Sequence, residues 1–233
     1  MIVYWLLLLP TALIAYLLGS MSTLVLSSNF IFHYNLRRLG RGNDWLTNFR
    51  RVYGLKGALV LLLVEVIKDI IPIIIGGVLL GIKGHAAVGR TFAGFCVVMG
   101  RLWPVYYRLH GSHAIMPLIV SALFADKSLG IVLVIVVVAV LAVTKYISLS
   151  AIASALVVLA ASFLILEDRL CILLLLFTGL AVLIRHLSAL KKISEGTETK
   201  IDLRKIDLTY KFENKFCSWK KGEKAEQKEC SGA

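Results

Sequence analysis

The sequence predicts an all-α protein, a polytopic transmembrane helical bundle of about seven membrane segments with its amino terminus outside and its carboxyl terminus cytoplasmic. Three observations predict it. The 233-residue chain is 58% hydrophobic and only 17% charged, too apolar to supply the polar surface of a water-soluble domain of that size. Its apolar residues come in runs, as in 131–143 and 170–184, which extend through small neighbours toward the roughly 20 positions that a bilayer helix needs. Its basic residues gather in alternate connections, the asymmetry that orients helical membrane proteins. The β-branched content does not argue for strands, because a helix satisfies its backbone polar groups within one segment.

The first segment, about 2–30, has no basic residue ahead of it and is followed by Arg37, Arg38 and Arg41. It is expected as an uncleaved anchor rather than a signal peptide. The second, 55–81, carries Glu65, Lys68 and Asp69 inside an otherwise apolar stretch. Spacings of three and four put them on one face, where Lys68 is placed to pair with Glu65 and all three to point into the bundle. A structural salt bridge and a buried cation for an anionic substrate both fit that pattern. The third, 86–107, ends among Arg101, Trp103, Tyr106 and Tyr107, a composition that interfacial aromatics and snorkelling cations also produce. The fourth, 112–125, is short: residues 114–125 rise only about 18 Å as a helix, so it spans with help from its flanks or inserts partially. The fifth, sixth and seventh are expected at 128–146, 148–166 and 169–187.

Residues 33–56 hold Arg37, Arg38, Arg41, Arg50, Arg51 and Lys56 against Asp44, and the stretch beyond Leu187 is rich in Lys. The opposite connections are poorer, with Lys83 in one, Asp126 and Lys127 in the next, and Glu167, Asp168 and Arg169 in the last. The chain therefore divides into a membrane domain, 1–194, and a polar cytoplasmic tail, 195–233, whose interleaved Lys and Glu are expected to be partly disordered. The four cysteines, Cys96, Cys171, Cys217 and Cys230, form no CxxC pair and have no histidine at metal spacing, so no metal site is expected.

Chemistry must be sought where membrane burial makes polar residues costly and where glycine and charge combine. In residues 37–51, Gly40 and Gly42 let backbone amides converge on an anion, and the arginines supply planar forks for phosphate oxygens. A merely orienting basic loop is the alternative, but Gly-x-Gly-Asn followed by Thr-Asn is more specific than that role needs. The other places are the Glu65–Lys68–Asp69 face, the stretch from Gly100 to His113, and two helix ends. Those ends hold Lys145, Tyr146, Ser148 and Ser150, and Arg185 and His186 followed by Gly196, Thr197 and Glu198.

Taken in order, these stretches resemble the bacterial acyl-phosphate:glycerol-3-phosphate acyltransferase family of the PlsY type, from Ala15 to about Ile201. The family pattern runs AYLLGS, GSGNxGATNxxR, DxxKG, GHxxPxFxxFxGGKGVAT, KRYVSLxS and RHxxNIxRLxxGTE. This chain reads AYLLGS from Ala15, GRGNDWLTNFRR from Gly40, EVIKD from Glu65, GRLWPVYYRLHGSHAIMP from Gly100, TKYISLSAI from Thr144 and RHLSALKKISEGTE from Arg185. The resemblance implies transfer of an acyl group from acyl phosphate to the 1-hydroxyl of glycerol 3-phosphate, giving lysophosphatidic acid and phosphate. In that family no protein base is thought necessary, the donor phosphate taking the proton, so the work is positioning and charge stabilisation.

Position by position, the resemblance implies substrate contacts from Asn43, Thr47, Asn48, Lys68, Arg101, Ser148 and His186, and catalytic roles for Arg51, Arg41 and His113. Arg51 occupies the place of a phosphate-binding arginine. Several of the positions depart from the pattern: Arg41 stands for serine, Trp45 and Leu46 for glycine and alanine, Glu65 for aspartate, Arg101 for histidine, His113 for lysine between Ser112 and Ala114, and Ala189 for asparagine. The implied partners are the two substrates and membrane lipids, not nucleic acid; the implied cofactors and metals are none; the implied location is the bacterial cell membrane, crossed several times. A catalytically silent homologue that binds a phosphorylated lipid or glycerol phosphate, or partners an active enzyme, is the second expectation. A transporter is disfavoured, because no interrupted helices in matching halves mark an inverted repeat.

Overall fold

A computed structural model of the chain describes residues 2–23, 45–107, 111 and 113–194. Among them every long element is an α-helix: α1 (Ile2–Ser20), α2 (Trp45–Gly81), α3 (Ala86–Leu102), α4 (Ile115–Ala125), α5 (Lys127–Thr144), α6 (Ile147–Ile165) and α7 (Arg169–Ser194). Three of them, α5, α6 and α7 as far as Leu187, are long and apolar enough to cross a membrane, and α1 and α4 contribute shorter apolar helices.

The boundaries moved for identifiable reasons. α2 starts at Trp45 rather than 55, because 45–53 contain neither Gly nor Pro and repeat apolar residues at helical spacing. It is 37 residues long, about 55 Å, well beyond the bilayer core. The Thr47–Asn48–Arg51 half of the glycine–arginine stretch is thus helical, not loop. α3 stops at Leu102, and Val105–Tyr107 form a separate 3-10 turn. Pro104 causes the stop, since the residue before a proline is pushed out of the helical region; Trp103 sits at φ −128°, ψ 71°. α5 ends where Lys145 takes the left-handed conformation, φ 61°, as helix C-terminal caps commonly do. α4 has 11 residues, as short as expected.

α3 is the hub, packing against α1, α2, α4 and α7. Glycine permits the closest approaches. A Cβ on Gly19 of α1 would lie 2.9 Å from the Cα of Val97, and one on Gly76 of α2 would lie 2.7 Å from the carbonyl oxygen of Gly89. One apolar core joins Ala15, Ile73, Ala93, Val97 and Val120 from α1–α4. A second, on the other side, joins Leu102, Leu118, Leu133, Val158, Leu175 and Val182 from α3–α7. The outward faces are apolar too, as at Leu63, Ile135 and Phe163, which suits a lipid environment and no aqueous one.

Candidate functional site

Long-range contacts gather one end of the bundle. Tyr16 Oη near the end of α1 donates to the carbonyl of Trp103 just beyond α3, at 2.7 Å. Arg185 Nη2, in the second half of α7, donates to the carbonyl of Gly111 at 3.4 Å. His113, just before α4, meets His186 of α7 with Nδ1 and Nε2 3.0 Å apart. The ends of α1 and α3, the start of α4 and the second half of α7 therefore converge. The Ala15–Ser20 stretch has a packing reason: Gly19 and Gly100 let α1 and α3 cross backbone to backbone, and Tyr16 latches the crossing.

A buried charge cluster lies between α2 and α3. Glu65, Lys68 and Asp69 are all buried, and so is Arg101. Arg101 Nη2 donates to Glu65 Oε1, while Lys68 Nζ lies 3.3 Å from Asp69 Oδ1 and donates to the carbonyl of Met21 at 3.2 Å. The pairing differs from the one expected within α2. Glu65 is taken by a cation from another helix, and Lys68 folds its flexible stem back onto its neighbour and across to the end of α1. Each cation has an acid, as low-dielectric burial requires.

Ser148 is buried in the first turn of α6. Two residues on, Ser150 Oγ donates to the carbonyl of Tyr146 at 3.1 Å. Thr47, Asn48 and Arg51 lie on the first two turns of α2; their side chains, with Arg41, Asn43 and the tail 195–233, are outside the described residues. The sequence reading missed the partners: Glu65 for Arg101, and the carbonyls of Met21, Val182 and Gly111. An acid in an apolar helix signals that some cation is near, but not which.

Among the described residues no group of three or more His, Cys, Asp or Glu could hold a metal ion. Cys96 and Cys171 are buried free thiols.

Comparison with known proteins gives this geometry its context. The family model described as glycerol-3-phosphate acyltransferase matches residues 9–196. The glycerol-3-phosphate acyltransferase of Thermoanaerobacter pseudethanolicus is 31% identical over 192 residues, covering 82% of this chain and 94% of the relative. That of Coxiella burnetii is 30% identical over 192 residues, covering 82% and 96%. The crystal structure of PlsY, an integral membrane glycerol 3-phosphate acyltransferase, in its glycerol 3-phosphate form shares the fold at a TM-score of 0.69 with 21% identity, covering 84% of this chain and 96% of that one. A bundle of apolar helices with a buried charge cluster between α2 and α3, matched along most of its length by these relatives, belongs to the glycerol-3-phosphate acyltransferase family.

Proposed function

We propose that the chain transfers an acyl group from acyl phosphate to the 1-hydroxyl of glycerol 3-phosphate, releasing lysophosphatidic acid and phosphate. The observation that supports this most strongly is the family match over residues 9–196, which contains every position singled out for chemistry but Thr197 and Glu198. The reaction runs on the cytoplasmic face of a bacterial cell membrane, in a domain of seven segments with the amino terminus outside, an orientation supported by the basic connections. Arg51 and Arg41 hold phosphate as bidentate forks, with Asn43, Thr47, Asn48, Ser148 and His186 completing the substrate contacts. Hydroxyl oxygen and acyl carbon are brought together by holding both substrates through their phosphates, and removal of water strengthens each charged contact.

One observation favours the second reading, a silent homologue that binds phosphorylated ligand. Lys68 and Arg101, two of the cations expected at substrate, are each paired with a buried acid. A single experiment separates the readings: phosphate release by the purified protein in lipid, given acyl phosphate and glycerol 3-phosphate, with Arg51→Ala as control. Release that needs both substrates and collapses in the control supports the transferase. Binding of glycerol 3-phosphate without release, in folded protein, supports the silent homologue.

A further inference from the structure

Arg90 lies on the second turn of α3, about 6 Å along the helix from Ala86. The other end of α3 is the one Tyr16 latches, so Arg90 stands at the opposite end of the bundle. Its stem lies across α2: a Cβ on Gly77 would be 2.6 Å from Arg90 Cγ and 3.3 Å from Cδ. On the side of α7, the neighbouring Thr91 shares a side-chain hydrogen bond with Cys171, and the charges of Arg90 and Asp168 both bear on that thiol. Arg90 is thus set at the seam between α2 and α7, which both pack on α3 and, among the described residues, have no extensive contact with each other. Helical side chains lean toward the amino-terminal end of their helix, which carries the guanidinium toward the bundle end, where a snorkelling arginine reaches lipid headgroups.

Arginine keeps its charge in any protein environment. The other cations buried in the bundle have acids, Lys68 with Asp69 and Arg101 with Glu65. Arg90 has none: among the described residues it makes no hydrogen bond or ion pair, and its Nε is buried without a partner. The acids of this end are engaged elsewhere or turned to solvent. Asp168 Oδ1 accepts from the amide of Leu170 at 2.9 Å, Asp126 caps α5, and Glu167 is exposed. A half-buried guanidinium in a membrane segment requires an anion, and the protein supplies none here.

We propose that Arg90 binds the phosphate group of a phospholipid from the leaflet at this end of the bundle, the headgroup seated at the seam between α2 and α7. The planar guanidinium fork matches two phosphate oxygens, and the phosphodiester provides the missing negative charge at headgroup depth. Val78, beside Gly77, and Leu170, beside Cys171, are exposed apolar residues that offer the acyl chains a surface on either helix. The site lies at the far end of the bundle from Trp103, Gly111 and His186 and does not depend on the acyl-transfer reading. Because the lipid neutralises a charge that the folded chain leaves unpaired, its binding stabilises the native bundle.

The test is thermal unfolding of the full chain in a phosphate-free, non-ionic detergent, with phosphatidylglycerol, diacylglycerol of the same acyl chains, or inorganic phosphate titrated in. Phosphatidylglycerol is expected to raise Tm saturably, as a ligand of the native state does. Diacylglycerol, which lacks the phosphate, is expected to need concentrations about tenfold higher or more, the worth of a charge-assisted hydrogen bond. Arg90→Gln is expected to weaken the phosphatidylglycerol response by the same factor, and Arg90→Lys, with the charge but not the fork, by less. Arg169→Gln, which removes an exposed cation at the same end, is expected to leave the response unchanged. The two lipids are compared on the wild type, so the proposal stays open to refutation should Arg90→Gln fail to fold. Equal responses to the two lipids, an unchanged response in Arg90→Gln, or equal losses in the Arg90→Gln and Arg169→Gln variants overturn it. An Arg90-dependent response to inorganic phosphate as strong as that to phosphatidylglycerol overturns the lipid as ligand and assigns the site to a free phosphate anion.

Discussion

Arg101 of α3 donates from Nη2 to Oε1 of Glu65 in α2, and both side chains are buried. Such a pair is weak evidence for net stability, but breaking it by removing one partner is expensive, because the remaining charge is stranded in low dielectric.

Single changes at this pair, Glu65→Leu or Arg101→Met, are accordingly expected to destabilise the protein by about 3–5 kcal/mol. The double change Glu65→Leu with Arg101→Met is expected to recover most of that loss. Thermal unfolding in detergent measures both; additive effects of the two singles in the double would show that the pair is not coupled.

At the start of α5, Asp126 accepts from the backbone amides of Ser128 at 2.7 Å and Leu129 at 3.2 Å. Asp126→Ala removes this cap and is expected to cost about 1 kcal/mol, while Asp126→Asn, which keeps the accepting oxygen, costs little. Melting temperatures of the two variants check it, and equal losses would mean that the charge matters more than the cap.

The α2–α3 crossing depends on Gly76. A Cβ there would lie 2.6 Å from Ala93 Cβ and 2.7 Å from the Gly89 carbonyl oxygen, the second of these a backbone atom with little freedom to yield. Gly76→Ala is expected to destabilise by about 1–3 kcal/mol through overpacking. Gly81→Ala is the control, its Cβ meeting nothing closer than 3.4 Å, and is expected to be nearly neutral. A loss at Gly81 equal to that at Gly76 would mean that the close backbone approach is not the cause, since helix propensity alone favours alanine over glycine.

Ser148 is buried in the first turn of α6. If its hydroxyl contacts the phosphate of glycerol 3-phosphate, Ser148→Ala raises KM for that substrate several-fold, the worth of about 1 kcal/mol for one hydrogen bond. Steady-state kinetics with glycerol 3-phosphate varied at saturating acyl phosphate read this directly, and an unchanged KM removes Ser148 from the substrate contacts.

The sequence by itself determined that this protein is a bundle of apolar helices and where along the chain its polar stretches fall. Hydrophobic run length and periodicity are local properties, legible without a partner. It located Glu65, Lys68 and Asp69 on an apolar helix, and burial of all three followed from the energetic need to turn charge away from lipid. Only the tertiary structure decided the pairing. Helical spacing relates residues three and four apart on one helix, so it offered Lys68 to Glu65 and was silent about Arg101, 36 residues away. It was equally silent about His113 and His186, 73 residues apart, whose shared proton depends on which helix ends the packing of α3 and α7 brings together. The local pattern sets which side chains need partners, and the crossing of helices, permitted where glycine lets backbones touch, sets which partners they obtain.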